Sequence, residues 1–455
     1  MVSMARQFKT VDYEESLKQT VTIEECLPAD HLARFVVAII ALLDLSCIYV
    51  QYGAYGGEPY APEILLGLLL YGYATGVFSA RKIEKATYES IPFRFIAGGW
   101  HPDHDTIANF RKVFLSEIAK LFIQVLLIAK VAGVLKLGNI SLDGSKIHAD
   151  ASKSKAVSYK RLIKLEKRLS AEVKELLALS EQADQSELPE ELDIAEEIAF
   201  RQYRLANLAE ARAVLEMRAE ERYQAEKAEY EAKMREREKK ARRRGRKPRG
   251  RKPKPPTPGP RDKDQYNFTD PESRIMKNST NDGFDQHYNA QLAVEQESFL
   301  IVANTLSNHA NDQNEAIPTL DAIAAELGKP EAGALDTGYF SENNITKMEL
   351  RGIAPYIATG REPHHRSWKA RFAELPAPPP EDASPKVKMA YKLRTEIGKA
   401  IYSLRKCTVE PVIGIIKEIM SFRQFSLRGL AAAAGEWCLV CLAFNLKRLH
   451  VLLAS

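Results

Sequence analysis

The chain is poor in cysteine. Five residues in 455 (Cys26, Cys47, Cys407, Cys438 and Cys441) are odd in number and too sparse for a disulfide framework. A reducing interior is the expected compartment. Met1–Thr20 is polar and lacks the apolar core of a signal peptide. Long apolar runs are also scarce. Phe35–Val50 is interrupted by Asp44 and Leu121–Val134 by Lys130. Both fall short of the ~20 apolar residues that span a bilayer. These absences argue against a secreted disulfide scaffold and against a membrane protein, and predict a soluble intracellular chain. No internal repeat is visible. Apolar residues make up 45% and charged residues 27%, which excludes wholesale disorder. The length suggests roughly three domains.

The net charge of +5 hides an asymmetry. Between Arg235 and Lys254 stand 13 Lys or Arg and two Glu, a local balance of +11, so the remainder of the chain sums to −6. Such a block reads as a solvated interaction tail.

Residues 1–135 read as a helical N-terminal domain, with helices over His31–Val50, Glu63–Gly76, Ala80–Glu89 and Thr106–Val134. Ser79 and Asp105 are the expected caps of the last two. The pattern changes at residue 138. Asn139–Gly144 alternates apolar and polar residues, Tyr288–Val294 and Phe299–Ala303 look like paired strands, and short strands end at Asp336 and Ala358. Strands mixed with helices predict an α/β sheet domain formed by 136–160 and 263–455. Residues 161–262 interrupt it. Leu162, Leu165, Leu169, Val173 and Leu176, then Ile194, Ile198, Leu205, Leu208 and Leu215, recur at helical spacings. They predict a coiled-coil hairpin, which either dimerises or packs within one chain. A basic, Pro-rich linker follows.

Three carboxylates stand out by position. Asp143 lies in a strand and is followed by Gly144, which leaves backbone room. Asp336 ends an apolar strand, where α/β folds place their sites. Glu410 lies on a helical pattern with Val409, Val412, Ile413, Ile416 and Met420 as its apolar stripe, and it shares a polar face with Lys417. Pro411 favours a helix start or a kink there. Oxygen ligands on separate elements suit a hard divalent ion such as Mg²⁺. Two such ions clamp the attacking and leaving oxygens of a phosphodiester displacement. Ordinary roles compete with this reading: Asp336 capping a turn, and Glu410 pairing with Lys406.

The words around these acids resemble the DDE transposases of bacterial insertion sequences. Leu142-Asp143-Gly144-Ser145-Lys146-Ile147-His148-Ala149 resembles the family's first-aspartate strand, and Ala334-Leu335-Asp336-Thr337-Gly338-Tyr339 its second-aspartate segment. Thr408–Lys417 resembles its glutamate helix, including the six-residue gap from Glu410 to Lys417. Gly435–Leu449 is similar to the family's C-terminal end. Tyr60–Glu63 through Asp105–Arg111 is similar to the N-terminal helical domain many of these transposases share. The resemblance covers most of the chain except 160–262. It implies a ribonuclease-H-like catalytic core, with an all-α N-terminal DNA-binding domain and an inserted hairpin. It implies cleavage at terminal inverted repeats and joining of 3′ ends to target DNA. Asp143, Asp336 and Glu410 would be catalytic and metal-binding, with Mg²⁺, or Mn²⁺ in its place, as cofactor. The partners would be double-stranded DNA and a second copy of the chain in a homodimeric DNA complex, with no membrane, in the cytoplasm at the bacterial nucleoid. One branch carries a Tyr-Arg-Glu-Lys signature. Here the expected Tyr and Arg registers hold Ser403 and Lys406, while Tyr402 and Arg405 sit one residue early. Competing functions are a non-catalytic DNA-binding descendant and a metal-dependent nuclease.

Lys417 is the expected backbone contact beside the glutamate. Arg111 and Lys112 in the N-terminal domain either meet DNA or form an ordinary solvated helix face. In Arg242–Lys254, Arg244, Arg246, Arg249 and Arg251 resemble a minor-groove hook; a solvated linker is the equal alternative. His101-Pro102-Asp103-His104-Asp105 looks like a metal cluster but lacks further zinc-ligand spacing, so a loop before a capped helix is expected. Cys438 and Cys441 form a lone CxxC and read as buried thiols.

Overall fold

A computed structural model of the chain describes residues 22–53, 57–183, 193–245, 251–278, 283–360 and 377–454. These divide into two compact units, 1–147 with 289–455, and 148–288.

The first unit opens with helices α1 (Ile23–Cys26), α2 (Leu32–Ile40), α3 (Ser46–Tyr49), α4 (Pro62–Ala74), α5 (Ala80–Glu89), α6 (Ile91–Ile96), α7 (His104–Val113) and α8 (Leu115–Val131). The single helix expected over 31–50 is two, because Asp44 accepts from the Ser46 amide at 3.0 Å and restarts the chain. The helix expected over 106–134 breaks at Phe114. Its cap is Asp103 rather than Asp105, accepting from the amides of Asp105 (3.0 Å) and Thr106 (2.9 Å). Ser79 stands at the start of α5 but makes no side-chain cap. Pro62 opens α4, a helix position that needs no amide donor. Almost all of α4 is buried, as its lack of a polar stripe requires.

The sheet of this unit uses β1 (Asn139–His148), β5 (Phe284–Glu295), β6 (Ile301–Ser307), β7 (Ala332–Leu335) and β8 (Ala354–Ile357), in the order β6-β5-β1-β7-β8. Three further strands belong to the second unit and are described below. β5 and β6 are antiparallel, and β1, β7 and β8 are parallel. The turn between β5 and β6 is built on Glu295, whose carboxylate accepts from the Glu297 and Ser298 amides at 3.1 and 2.6 Å. A short helix follows at Ala316–Asp321, between 3₁₀ turns. Near the C-terminus the chain forms helices Pro385–Lys392 and Glu396–Gly414 and a π-helical turn at Ile415–Ile419. Thr395 caps the second piece through the Gly398 amide at 3.0 Å. The final helix, Leu430–Ala454, is long and apolar enough by composition to cross a membrane. Trp437, Leu439, Cys441, Leu442 and Leu446 are nevertheless buried against β6, α4 and α8. Its Asn445 side chain pairs with both backbone groups of Ile301, at 2.9 and 2.8 Å, which satisfies the start of the outer strand. Cys438 and Cys441 are buried thiols, and burial pushes the Cys438 thiol up to about 12.

The second unit contains β2 (Ala156–Ser158), β3 (Gln265–Asn267), β4 (Arg274–Lys277), which pairs with the first residues of β5, and two long helices, Tyr159–Ala183 and Ile194–Arg244. These two helices pack against each other. Leu162, Leu169, Leu208, Ala211 and Leu215 close their seam with Val157 and Tyr266 from β2 and β3. The longer helix ends at Gly245 in the left-handed conformation that favours glycine.

Candidate functional site

Register brings two of the three acids together. β1 and β7 run parallel with Leu142 opposite Leu335. The next residues, Asp143 and Asp336, therefore follow at one level of neighbouring strands, which lie roughly 4.8 Å apart. Gly144 leaves room here, because a Cβ at that position would meet Asp312 Oδ1 at 2.9 Å and overlap the Gln291 side-chain amide, so those side chains would have to shift. Burial pushes the Asp143 carboxyl up to about 6 against the pull of Arg405, with Asp336 adding to the rise. Asp336 also does what an ordinary turn residue does: it accepts from the Gly338 amide at 2.6 Å and caps a 3₁₀ turn.

Glu410 arrives on the helix Glu396–Gly414, which runs through Pro411 without starting there; the irregularity lies one turn later, at Ile415–Ile419. The helix is tied to β1 by the Thr408 hydroxyl, which donates to Ser141 Oγ at 2.7 Å. Gln296 Nε2 donates both to Ser141 Oγ at 3.0 Å and to the Ile401 carbonyl at 3.1 Å. Val409, Val412, Ile416 and Met420 are buried, as the apolar stripe requires, while Ile413 is half-buried.

The acids are joined by a cation. Arg405 Nη1 donates to Asp143 Oδ2 at 2.9 Å and Nη2 donates to Glu410 Oε1 at 3.0 Å. Its side chain is only 8% exposed. Burial disfavours the guanidinium charge, but Asp143, Tyr402 and Glu410 outweigh it and hold the group above its ordinary pKa. The Glu410 partner is thus Arg405, and Lys406 is exposed. Lys417 donates to the Lys146 carbonyl at 3.1 Å, and burial together with Arg423 lowers its pKa.

Asp312 is a neighbour that the sequence did not reveal. It accepts from Asn289 Nδ2 at 2.7 Å and from Gln291 Nε2 at 2.9 Å. The buried Tyr339 hydroxyl donates to Gln291 Oε1. Asp312 also stands against Gly144 and Gly338, the glycines that follow the two aspartates.

The remaining expected site residues scatter. Arg111 has an 11% exposed side chain. It donates to the Tyr73 hydroxyl at 2.9 Å, and to the Phe78 carbonyl and Ser426 Oγ at 3.3 Å. Tyr73 in turn donates to the fully buried Glu436 at 2.8 Å. Arg111 is therefore committed to an interior network. Lys112 and Arg251 are exposed. Arg246 and Arg249, and the side chain of Arg244, lie outside the described residues. In the 101–105 loop His101 meets Thr87 at 2.9 Å and stacks on Tyr88, while His104 pairs with Glu84 at 2.8 Å. Among the described residues, no group of three His, Cys, Asp or Glu side chains is gathered as a metal cluster.

No curated protein and no solved structure matches the chain. Residues 21–113 match the transposase domain family DUF772, and residues 380–450 match the transposase DDE domain family. The second match contains Arg405, Glu410 and Lys417 but neither aspartate. Together the two matches indicate a transposase and support the DDE type of insertion sequences.

Proposed function

We propose that the chain cuts DNA at terminal inverted repeats and joins the freed 3′ ends to target DNA, with Asp143, Asp336 and Glu410 as its catalytic acids. The observation that carries this reading is the level placement of Asp143 and Asp336 on adjoining parallel strands, with Glu410 linked to Asp143 through Arg405. The sheet order, with antiparallel β5-β6 on one side of β1 and parallel β7-β8 on the other, supports a ribonuclease-H-like core.

The donor set has the chemistry of a hard-cation site, although Arg405 stands between Asp143 and Glu410 and the three acids are not gathered as a metal cluster. The donor atoms are carboxylate oxygens, and Asp143 is a partly desolvated acid raised by a second acid beside it, a strain that a divalent ion relieves. Asp143, Asp336 and Glu410 would hold Mg²⁺, or Mn²⁺ in its place; once bound, it supplies the positive charge that phosphodiester displacement needs. Arg405 balances Asp143 and Glu410 in its absence, holding one oxygen of each carboxylate and leaving the other to face a metal. Lys417, anchored on the Lys146 carbonyl, presents an ammonium to the DNA backbone. Lys112 and Arg251 meet phosphates; Arg111 acts on the fold. The Tyr-Arg-Glu-Lys arrangement is served here by an arginine one residue early, because its long side chain still reaches Glu410. Two-ended joining calls for a homodimer on DNA.

The Arg405 bridge also favours one competing reading, a non-catalytic DNA-binding descendant whose acids are permanently neutralised. Purified Asp143→Asn protein separates the two. The proposal expects retained inverted-repeat binding and loss of Mg²⁺-dependent cleavage. Wild-type protein that binds but never cleaves would favour the descendant. Strand breaks without joining to a second DNA would indicate a simple nuclease.

A further inference from the structure

The second unit carries a pocket of about 360 Å³ between the base of the helical hairpin and β2, lined by Lys155, Arg161, Arg204, Asn207, Phe268 and an apolar floor of Val157, Leu165 and Leu208. The floor belongs to the seam that closes the hairpin. The wall is braced where the Phe268 amide donates to the Lys155 carbonyl at 3.1 Å. No carboxylate lines the pocket. Several other cations of the hairpin are matched by acids: Arg168 with Glu172, Arg212 with Glu216, and Arg222 with Asp264. Lys155, Arg161 and Arg204 have no carboxylate partner among the described residues; Arg204 lies over the Phe200 ring at 5.6 Å. Phe268 meets the Tyr266 ring edge-to-face, with centroids 5.2 Å apart, and is 41% exposed.

Three uncompensated cations call for an anion. The exposed aromatic face and apolar floor call for a flat, partly apolar group attached to it, and Asn207 offers an amide donor and acceptor. We propose that this pocket binds a single nucleotide unit, its phosphate at Lys155, Arg161 and Arg204 and its base against Phe268. A base stacked inside a duplex has no free face, so the unit comes from an unpaired strand or a free nucleotide. The inference rests on the DNA-directed function proposed above and adds to it a site in the inserted unit, independent of the three acids.

The test uses the full-length protein, with Arg161→Glu/Arg204→Glu and Phe268→Ala as variants. All three residues are exposed, and circular dichroism checks that the fold is kept. Binding of a fluorescent oligothymidine strand is measured by anisotropy over a salt series. Charge reversal is expected to weaken binding by at least about tenfold and to flatten the salt slope by more than one, since each strand phosphate contact contributes about 0.7. Loss of the ring is expected to weaken it about tenfold with little change in slope. A strand carrying 5-iodouracil is expected to photocrosslink to Phe268. Thymidine monophosphate competing as strongly as the strand would support the nucleotide site and assign a free nucleotide as its occupant. Inorganic phosphate competing equally well would overturn the base-binding claim. Unchanged affinity in both variants would overturn the site altogether. Asp143→Asn protein is run in parallel: normal strand binding with retained cleavage would sink the acid trio and leave the pocket standing, and the converse pattern would do the reverse.

Discussion

Two regions of this chain use arginine and lysine in opposite ways. Along the hairpin, several cations face water and pair with acids one helical turn away: Arg168 with Glu172, Arg235 with Glu231, Lys240 with Glu236. In the first unit, Arg405 and Arg111 are nearly enclosed, and their partners lie far off in sequence: Asp143 is 262 residues from Arg405, and Tyr73 is 38 from Arg111. A surface pair can lose one member to hydration. A buried one leaves its partner stranded in a low-dielectric interior. Identical residue types therefore carry unlike consequences, and the contrast can be attacked by substitution.

The largest effect is expected at Arg405. Arg405→Ala strands Asp143 and should cost about 3–5 kcal/mol of unfolding free energy, measured by urea denaturation in chelator at pH 8. Asp143 already sits above its unfolded value, and losing Arg405 raises it further. Ionised Asp143 then destabilises the fold above that raised value, and protonation relieves it below. The deficit of Arg405→Ala should shrink between pH 8 and pH 5. A deficit that grows as pH falls would contradict the bridge. Tyr73→Phe comes next. It removes the hydroxyl between Arg111 and Glu436 and should cost about 1–3 kcal/mol by the same assay. Deleting residues 242–254 should leave stability alone yet weaken DNA binding and flatten its salt dependence; an unaltered slope would make this segment a linker. Smallest of all is Arg235→Ala, for which no resolvable shift in melting temperature is expected, because Arg235 is 72% exposed.

The same contrast explains what could be read in the sequence. Local signals were legible: the alternation in β1, the β5-β6 pair, the short strand before Asp336, the apolar stripe behind Glu410 and the leucines of the hairpin seam. Each depends on period and neighbours. Caps were half legible, since Asp103 and Asp105 are equally good cap residues and the start of the helix decides between them. Arg405 as the bridge was not legible. It lies one residue from the expected register, and only the folded distance shows that it reaches both acids. Asp312 was hidden for a similar reason. It lies in a polar loop, and only the close approach of Gly144 and Gly338 brings it to the site. Arg111 read as a DNA contact or a solvated helix residue because nothing local signals that Glu436 lies buried opposite it.

The most direct test of the central claim asks whether the three acids act as one unit. Asp143→Asn, Asp336→Asn and Glu410→Gln, and the three double variants, are assayed for Mg²⁺-dependent cutting of a duplex carrying the element's end and for joining to a plasmid. Each single change should abolish both reactions while end binding persists, and the doubles should be no worse than the singles. Cutting that survives any one of the three substitutions would contradict it.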